Sequence, residues 1–270
     1  MLILECLATT LALVASGLGL WRWRQGHPLS PRASAILVAG LGIFAVGRLL
    51  TPWLALRAGM ETEPVALMSL IALVAGTMGW FTLHKSPASL MVGLLALMVA
   101  MGFAAGLVLP RGGLGSTNPE LAVWFYPHIV AASLAMGSSV VSMVVAVLYL
   151  AQDHALRTGS LRVAQRLPRL TMLGASLDRA IELSALFYTL TVVLGSTLAA
   201  YLWHSSPQAD PFTVAAMLGA LAQVSLFVAR GRLGWANRRL ALATLGMLTF
   251  WAAVTVMAGR VFASAHVLLN

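Results

Sequence analysis

Few side chains in this chain of 270 residues could do chemistry. Cys6 is the single cysteine, which excludes an intrachain disulfide, a CxxC redox pair and a thiolate metal cluster. What remains is six histidines and two arginines, Arg48 and Arg260, set inside apolar sequence. A neutral imidazole can ligate zinc, copper or haem iron. A guanidinium binds carboxylates through two parallel hydrogen bonds. Either residue can also sit idle in a packed interface, so its role depends on the elements that position it.

Those elements are membrane helices. Sixty per cent of the residues are hydrophobic and nine per cent charged, with a mean hydropathy of +0.89, which excludes an ordinary soluble domain. A hydrocarbon core of about 30 Å takes roughly 20 apolar residues per helix. The chain therefore holds eight spans with short loops, as an all-α polytopic bundle and a single membrane domain over 1–270. Spans 1–4 occupy 1–120 and spans 5–8 occupy 121–270. The expected spans are about 2–21, 33–56, 65–83, 88–109, 121–150, 181–203, 212–229 and 240 to near the C-terminus. Residues 2–20 lack a positively charged leader, and WRWR follows where a cleavage site would be expected, so they are read as a retained span. The longest polar segment, about 152–180, carries five arginines and two aspartates.

The formal net charge of +9 would suggest nucleic acid if the charges were spread over a soluble surface. They are not. Apart from Arg48, Arg57, Arg111 and Arg260, every lysine and arginine lies in or beside the loops after spans 1, 3, 5 and 7. By the positive-inside rule those loops face the cytoplasm and both termini face the outside. The charge is a topology signal, and membrane lipid is the expected surrounding, with no nucleic acid.

This orientation sorts the histidines. His27, His84 and His154 fall in or beside cytoplasmic loops, where solvation accounts for them. His128 opens span 5 from outside, His204 begins the external loop after span 6, and His266 lies near the C-terminus. At about 1.5 Å per residue, span 8 entering the membrane near Ala241 puts Val261 at the outer boundary, with His266 just above it. Counting back from Leu150 puts Ala131 at the same boundary, with His128 at a similar height. Two imidazoles on different helices thus share one level. Three readings stay open at this point: axial ligands of a b-type haem, a zinc or copper site with His204 as third member, or interfacial histidines with no ligand. Below His128, helical spacing brings small residues to one face: Ala131, Ala132, Ala135, Ser139 and Ser142. They suit either packing against another helix or a groove for a flat ligand.

Arg48 lies deep in span 2, where a charge normally faces the bundle interior. It could pair with a haem propionate or with Glu61 or Glu63. Arg260, near the outer interface, can snorkel. Most tryptophans, Trp203 among them, sit at interfaces as aromatic belts do, and the methionines, Met136 included, fill the core.

The second half carries a resemblance. Span 5 opens with YPHIVAASLAM and leaves through VLYLAQDHALR. There follow RLPRLTMLGASLDRAIELSALFYTLTVVLGSTLAAYLW, then LFVARGRLGWANRRLALATLGMLTFW and a final histidine-bearing helix. From Trp124 to the C-terminus the chain resembles the cytochrome c assembly protein family, haem-handling membrane proteins of the CcsA and HemX type. Eight spans with external histidines in spans 5 and 8 are similar to the HemX-like branch. Spans 1–4 match only in number and hydrophobicity.

The resemblance implies that His128 and His266 are the axial ligands of a non-covalent haem b. It also implies that Arg48 is the candidate propionate partner and Trp203 a haem-facing remnant. The lyases of this family carry a tryptophan-rich segment of WGxxWxWD type where this chain reads LWHSSPQADPF, keeping Trp203 and Asp210. A platform that presents haem needs several aromatic faces, so covalent attachment is not expected. The implied role is haem handling for cytochrome c biogenesis, with other maturation subunits as partners. The alternative is a non-catalytic membrane scaffold or regulatory subunit that kept the fold and lost the haem.

Overall fold

A computed structural model describes residues 2–25, 119–203, 211–247 and 249–250. Among the described residues every regular element is helical and there is no strand. The helices are α1 (Leu2–Arg24), α2 (Pro119–Arg157), the single turn α3 (Leu161–Ala164), α4 (Leu170–Trp203), α5 (Pro211–Gly231) and α6 over 237–247. Two of them contain a stretch long and apolar enough to cross a membrane, Val130–Arg157 and Leu170–Thr197. The described residues are thus all-α, with two candidate spans among them.

The helix boundaries correct the expected loop at 152–180. α2 continues to Arg157 and α4 begins at Leu170, so only 158–169 lies between them, and α3 takes part of that. The segment AQDHALR is polar but made of good helix formers, and Arg157 pairs with Asp153 one turn back at 2.9 Å. α2 stops at Gly159, whose φ of 69° suits glycine. The Ser160 N–H then donates to Ala155 O at 2.9 Å, closing a Schellman cap. On the other side of the loop, Leu173 and Leu177 fall within the segment expected to be polar. They are fully buried in the core.

α2 is the central element. Over 131–150 only Val147 is exposed. Val141, Val145 and Leu148 of α2 meet Leu173, Leu177 and Ile181 of α4, Leu226 of α5, and Leu240 and Ala241 of α6 in one buried cluster. Leu173, Leu177, Ile181, Ser184 and Tyr188 recur at helical spacing, and all are buried. The opposite face of α4 carries Leu186, 60% exposed, Leu190 and Val193, and α5 carries Leu221, 64% exposed. Water around such faces would be unfavourable; acyl chains solvate them.

The basic end of the bundle is tied by polar contacts. Asp153 of α2 accepts from Arg157 and, at 3.4 Å, pairs with Arg238 of α6. Asp178 of α4 pairs with Arg230 of α5 at 2.8 Å, and Arg230 also donates to Trp235 O. Asn237, the first residue of α6, packs directly on Gly174 of α4, where no side chain stands in its way. These contacts set where α6 begins relative to α2 and α4. α1 joins the same end: Arg166 donates to Arg24 O at 3.1 Å.

Candidate functional site

His128 sits in α2 directly after Pro127, a proline inside the helix that can donate no backbone hydrogen bond. Its ring is half-buried against α4. The Nδ1 atom lies 3.2 Å from the carbonyl oxygen of Thr191. A carbonyl only accepts, so this bond requires the proton on Nδ1 and leaves the lone pair on Nε2. Metal-ligating histidines are commonly held in this way, one ring nitrogen donating to a backbone carbonyl while the other is presented.

The ring can approach α4 this closely because of Gly195, one turn after Thr191. A Cβ at that position would lie 2.8 Å from Cε1 of His128 and 3.2 Å from Nδ1. Thr191 and Gly195 therefore form the seat of the imidazole, and sequence reasoning passed over both. The signal that could have found Gly195 is a glycine inside the apolar run TVVLGST, which weakens a helix unless something packs against its backbone.

Below the histidine, the small-residue face is filled by protein. Ala131, Ala135, Ser139 and Ser142 are buried and Ala132 is half-buried. Ala135 packs with Tyr188 of α4 and Ala220 of α5. Ser139 Oγ and Ser184 Oγ are 2.8 Å apart, and Gln223 Nε2 of α5 donates to Ser139 Oγ at 3.3 Å. The face is thus a close-packed junction of three helices and not an open groove, as small residues in membrane bundles usually are. Any ligand of His128 stands above this junction.

Gln223 is 2% exposed, and its Oε1 has no hydrogen-bond partner among the described residues. An unpaired buried acceptor costs about 1–3 kcal/mol. Gln223→Leu removes that acceptor while Ser139 keeps Ala135 O and Ser184 as partners. The expected result is an unfolding temperature in detergent micelles equal to or above that of the wild type. A loss of more than about 1 kcal/mol would mean that the amide carries more of the junction than its one bond accounts for.

Of the other residues expected at the site, Trp203 is the last residue of α4, about 12 Å further along the helix than Gly195. His204, Arg48, Arg260 and His266 lie outside the described residues. Among the described residues no three of His, Cys, Asp and Glu gather to hold a metal ion. The described residues thus give the Thr191 carbonyl and the Gly195 seat of His128, while the expected opposing ligand, His266, lies outside them.

No curated protein and no solved structure matches the chain. The family model described as Cytochrome C assembly protein matches residues 60–258. The match begins well before Trp124, where the resemblance read from sequence begins, so it takes in the third and fourth hydrophobic segments too. It ends before His266. It spans well over half of the chain, and the chain belongs to the cytochrome c assembly protein family.

Proposed function

We propose that this protein is a multi-pass bacterial inner-membrane haem-binding protein. It holds a b-type haem between His128 and His266 near the periplasmic face, for haem handling in cytochrome c biogenesis. Family membership supports the haem-handling role. The observation that carries the site is the contact of His128 Nδ1 with the Thr191 carbonyl: with Nδ1 donating there, Nε2 is the nitrogen available to iron. The haem would supply the redox-active, coordinating iron; the protein's own part is to orient imidazoles, pair the propionates and keep water away.

The contact between Asp153 and Arg238 supports the pairing with His266. It puts the basic ends of α2 and α6 at one level. From that level His128 stands about 38 Å along α2. A last span continuing as a helix would bring His266 to about 42 Å, within one turn of the same height. Arg48 is the proposed propionate partner, because a guanidinium deep in an expected membrane span calls for an anion. Trp203 is the proposed aromatic contact above the ring.

The accompanying architecture is eight spans in one domain over 1–270, both termini periplasmic. Membrane lipid surrounds it, and other cytochrome c maturation subunits are its partners. The chemistry is non-covalent binding, because a single tryptophan stands where a lyase carries a platform.

The test is direct. Full-length protein purified from haem-replete cells is expected to show a Soret band and a pyridine haemochrome of b type. A colourless wild type that stays folded would sink this reading and leave the scaffold subunit in its place.

A further inference from the structure

The junction of α1, α3 and the start of α4 carries a patch that neither the ligand pair nor the core explains. Arg166 donates to the carbonyl of Arg24, which brings the end of α1 to the loop between α2 and α4. Arg22 and Arg24 therefore lie in one region with Arg162, Arg166 and Arg169. Among the described residues no carboxylate is within ion-pair distance of Arg22, Arg24, Arg162 or Arg169. The two aspartates of this end are already engaged, Asp153 by Arg157 and Arg238, and Asp178 by Arg230.

Apolar side chains stand out of the same patch. Leu161 is 66% exposed, and Val163 and Trp21 are also exposed. Arg22 lies over the Trp21 ring with its guanidinium carbon 5.8 Å from the centroid. A surface meant for water would not display leucine and tryptophan between arginines. A membrane interface takes both, the apolar groups entering the acyl boundary and the guanidinium groups staying at phosphate height.

We propose that this patch is a binding site for the headgroup of an anionic phospholipid in the inner leaflet. Arg162 and Arg169 engage the phosphate from α3 and the turn before α4, Arg22 and Arg24 from the end of α1, and Leu161 anchors beside the acyl chain. Charge complementarity selects the occupant, since the guanidinium groups of Arg22, Arg24, Arg162 and Arg169 gather at the basic end of the bundle, where the anionic lipids of an inner leaflet attract such clusters. Bidentate guanidinium–phosphate bonds add to that attraction. The site is independent of haem.

The experiment is native mass spectrometry of the detergent-solubilised full-length protein, titrated with phosphatidylglycerol or phosphatidylcholine. The wild type is expected to retain phosphatidylglycerol at about tenfold lower lipid concentration than phosphatidylcholine. Arg162→Gln with Arg169→Gln is expected to erase that preference, with the unfolding temperature unchanged in lipid-free micelles. Arg232→Gln with Arg239→Gln, on the same side but outside the patch, is expected to leave it intact. Equal retention of the two lipids by the wild type overturns the proposal. So does loss of the preference in both double variants alike. If Arg162 and Arg169 instead govern retention of an acidic membrane subunit while lipid retention is indifferent to them, the patch is a protein interface and the proposal falls.

Discussion

Gly195→Val is expected to unseat His128 while leaving the bundle folded. A Cβ at Gly195 already falls 2.8 Å from Cε1 of the imidazole, closer than real carbon contacts allow, and valine adds two methyl groups there. The ring must swing away from α4, which lengthens the Nδ1 bond to the Thr191 carbonyl and frees the tautomer. Loss of an outer-shell partner of this kind lowers metal affinity by about 10- to 100-fold. Replacing the glycine also improves α4 as a helix, by about 1 kcal/mol for alanine and by less for the β-branched valine. Gly195→Ala isolates this opposition: better helix, worse ligand. Haem titration followed at the Soret band should show weakened binding in both variants, more in valine than in alanine, with unfolding temperatures held. Unchanged haem affinity in the valine variant would remove Gly195 and Thr191 from the site.

The second large effect is expected at the other end of the molecule. Gly174→Val puts a branched side chain where Asn237 sits at the start of α6. The half-buried Asn237 side chain must shift to make room, and its freedom is limited because its neighbours in the core cluster, Leu173, Leu177, Leu240 and Ala241, have essentially no exposed surface. Overpacking of a close-packed core costs about 1–3 kcal/mol, so a fall in unfolding temperature is the primary outcome. The functional consequence follows from geometry. Asn237 and Arg238 set the base of α6, and the proposed height of His266 is counted along the last span from that base. Haem affinity is therefore expected to fall with stability in Gly174→Val. Asn237→Ala in the same chain should restore part of both, as coupled neighbours do in a double-mutant cycle. A stability loss with no recovery on shortening Asn237 would place the strain elsewhere.

The helical architecture with membrane-length spans was legible in hydrophobic run length, and His128 stood out by the rarity of polar residues inside those runs. Membership of the family was legible too, from the segments following Trp124, although the match reaches further towards the N-terminus than those segments do. Helix ends were less legible. The polar stretch after Leu150 looks like a loop because its composition is hydrophilic, yet Arg157 and Arg238 both pair with Asp153 and carry α2 past the apolar boundary. Leu173 and Leu177 were hidden for the same reason, two leucines among arginines and threonines.

The seat of His128 was not legible at all. Thr191 contributes through its backbone carbonyl, which any residue type would supply, and Gly195 through the absence of a side chain. Neither leaves a chemical mark in a sequence. The small-residue face illustrates the complementary ambiguity: Ala131, Ala135 and Ser139 fit a ligand groove and a helix junction equally well. Only the positions of Ser184, Tyr188 and Gln223 decide for the junction.

The central claim is that two imidazoles from separate helices hold one iron, His128 through Nε2 and His266 from the last span. Electron paramagnetic resonance of the oxidised, haem-loaded full-length protein tests it most directly, with His128→Ala and His266→Ala beside the wild type. Two neutral imidazoles give a low-spin six-coordinate iron. The wild type is expected to show that low-spin signal. Each single variant is expected to convert it to a high-spin signal, and added free imidazole should return the low-spin form. A wild type that is already high-spin, or a low-spin signal that survives either substitution, would contradict the paired-histidine site.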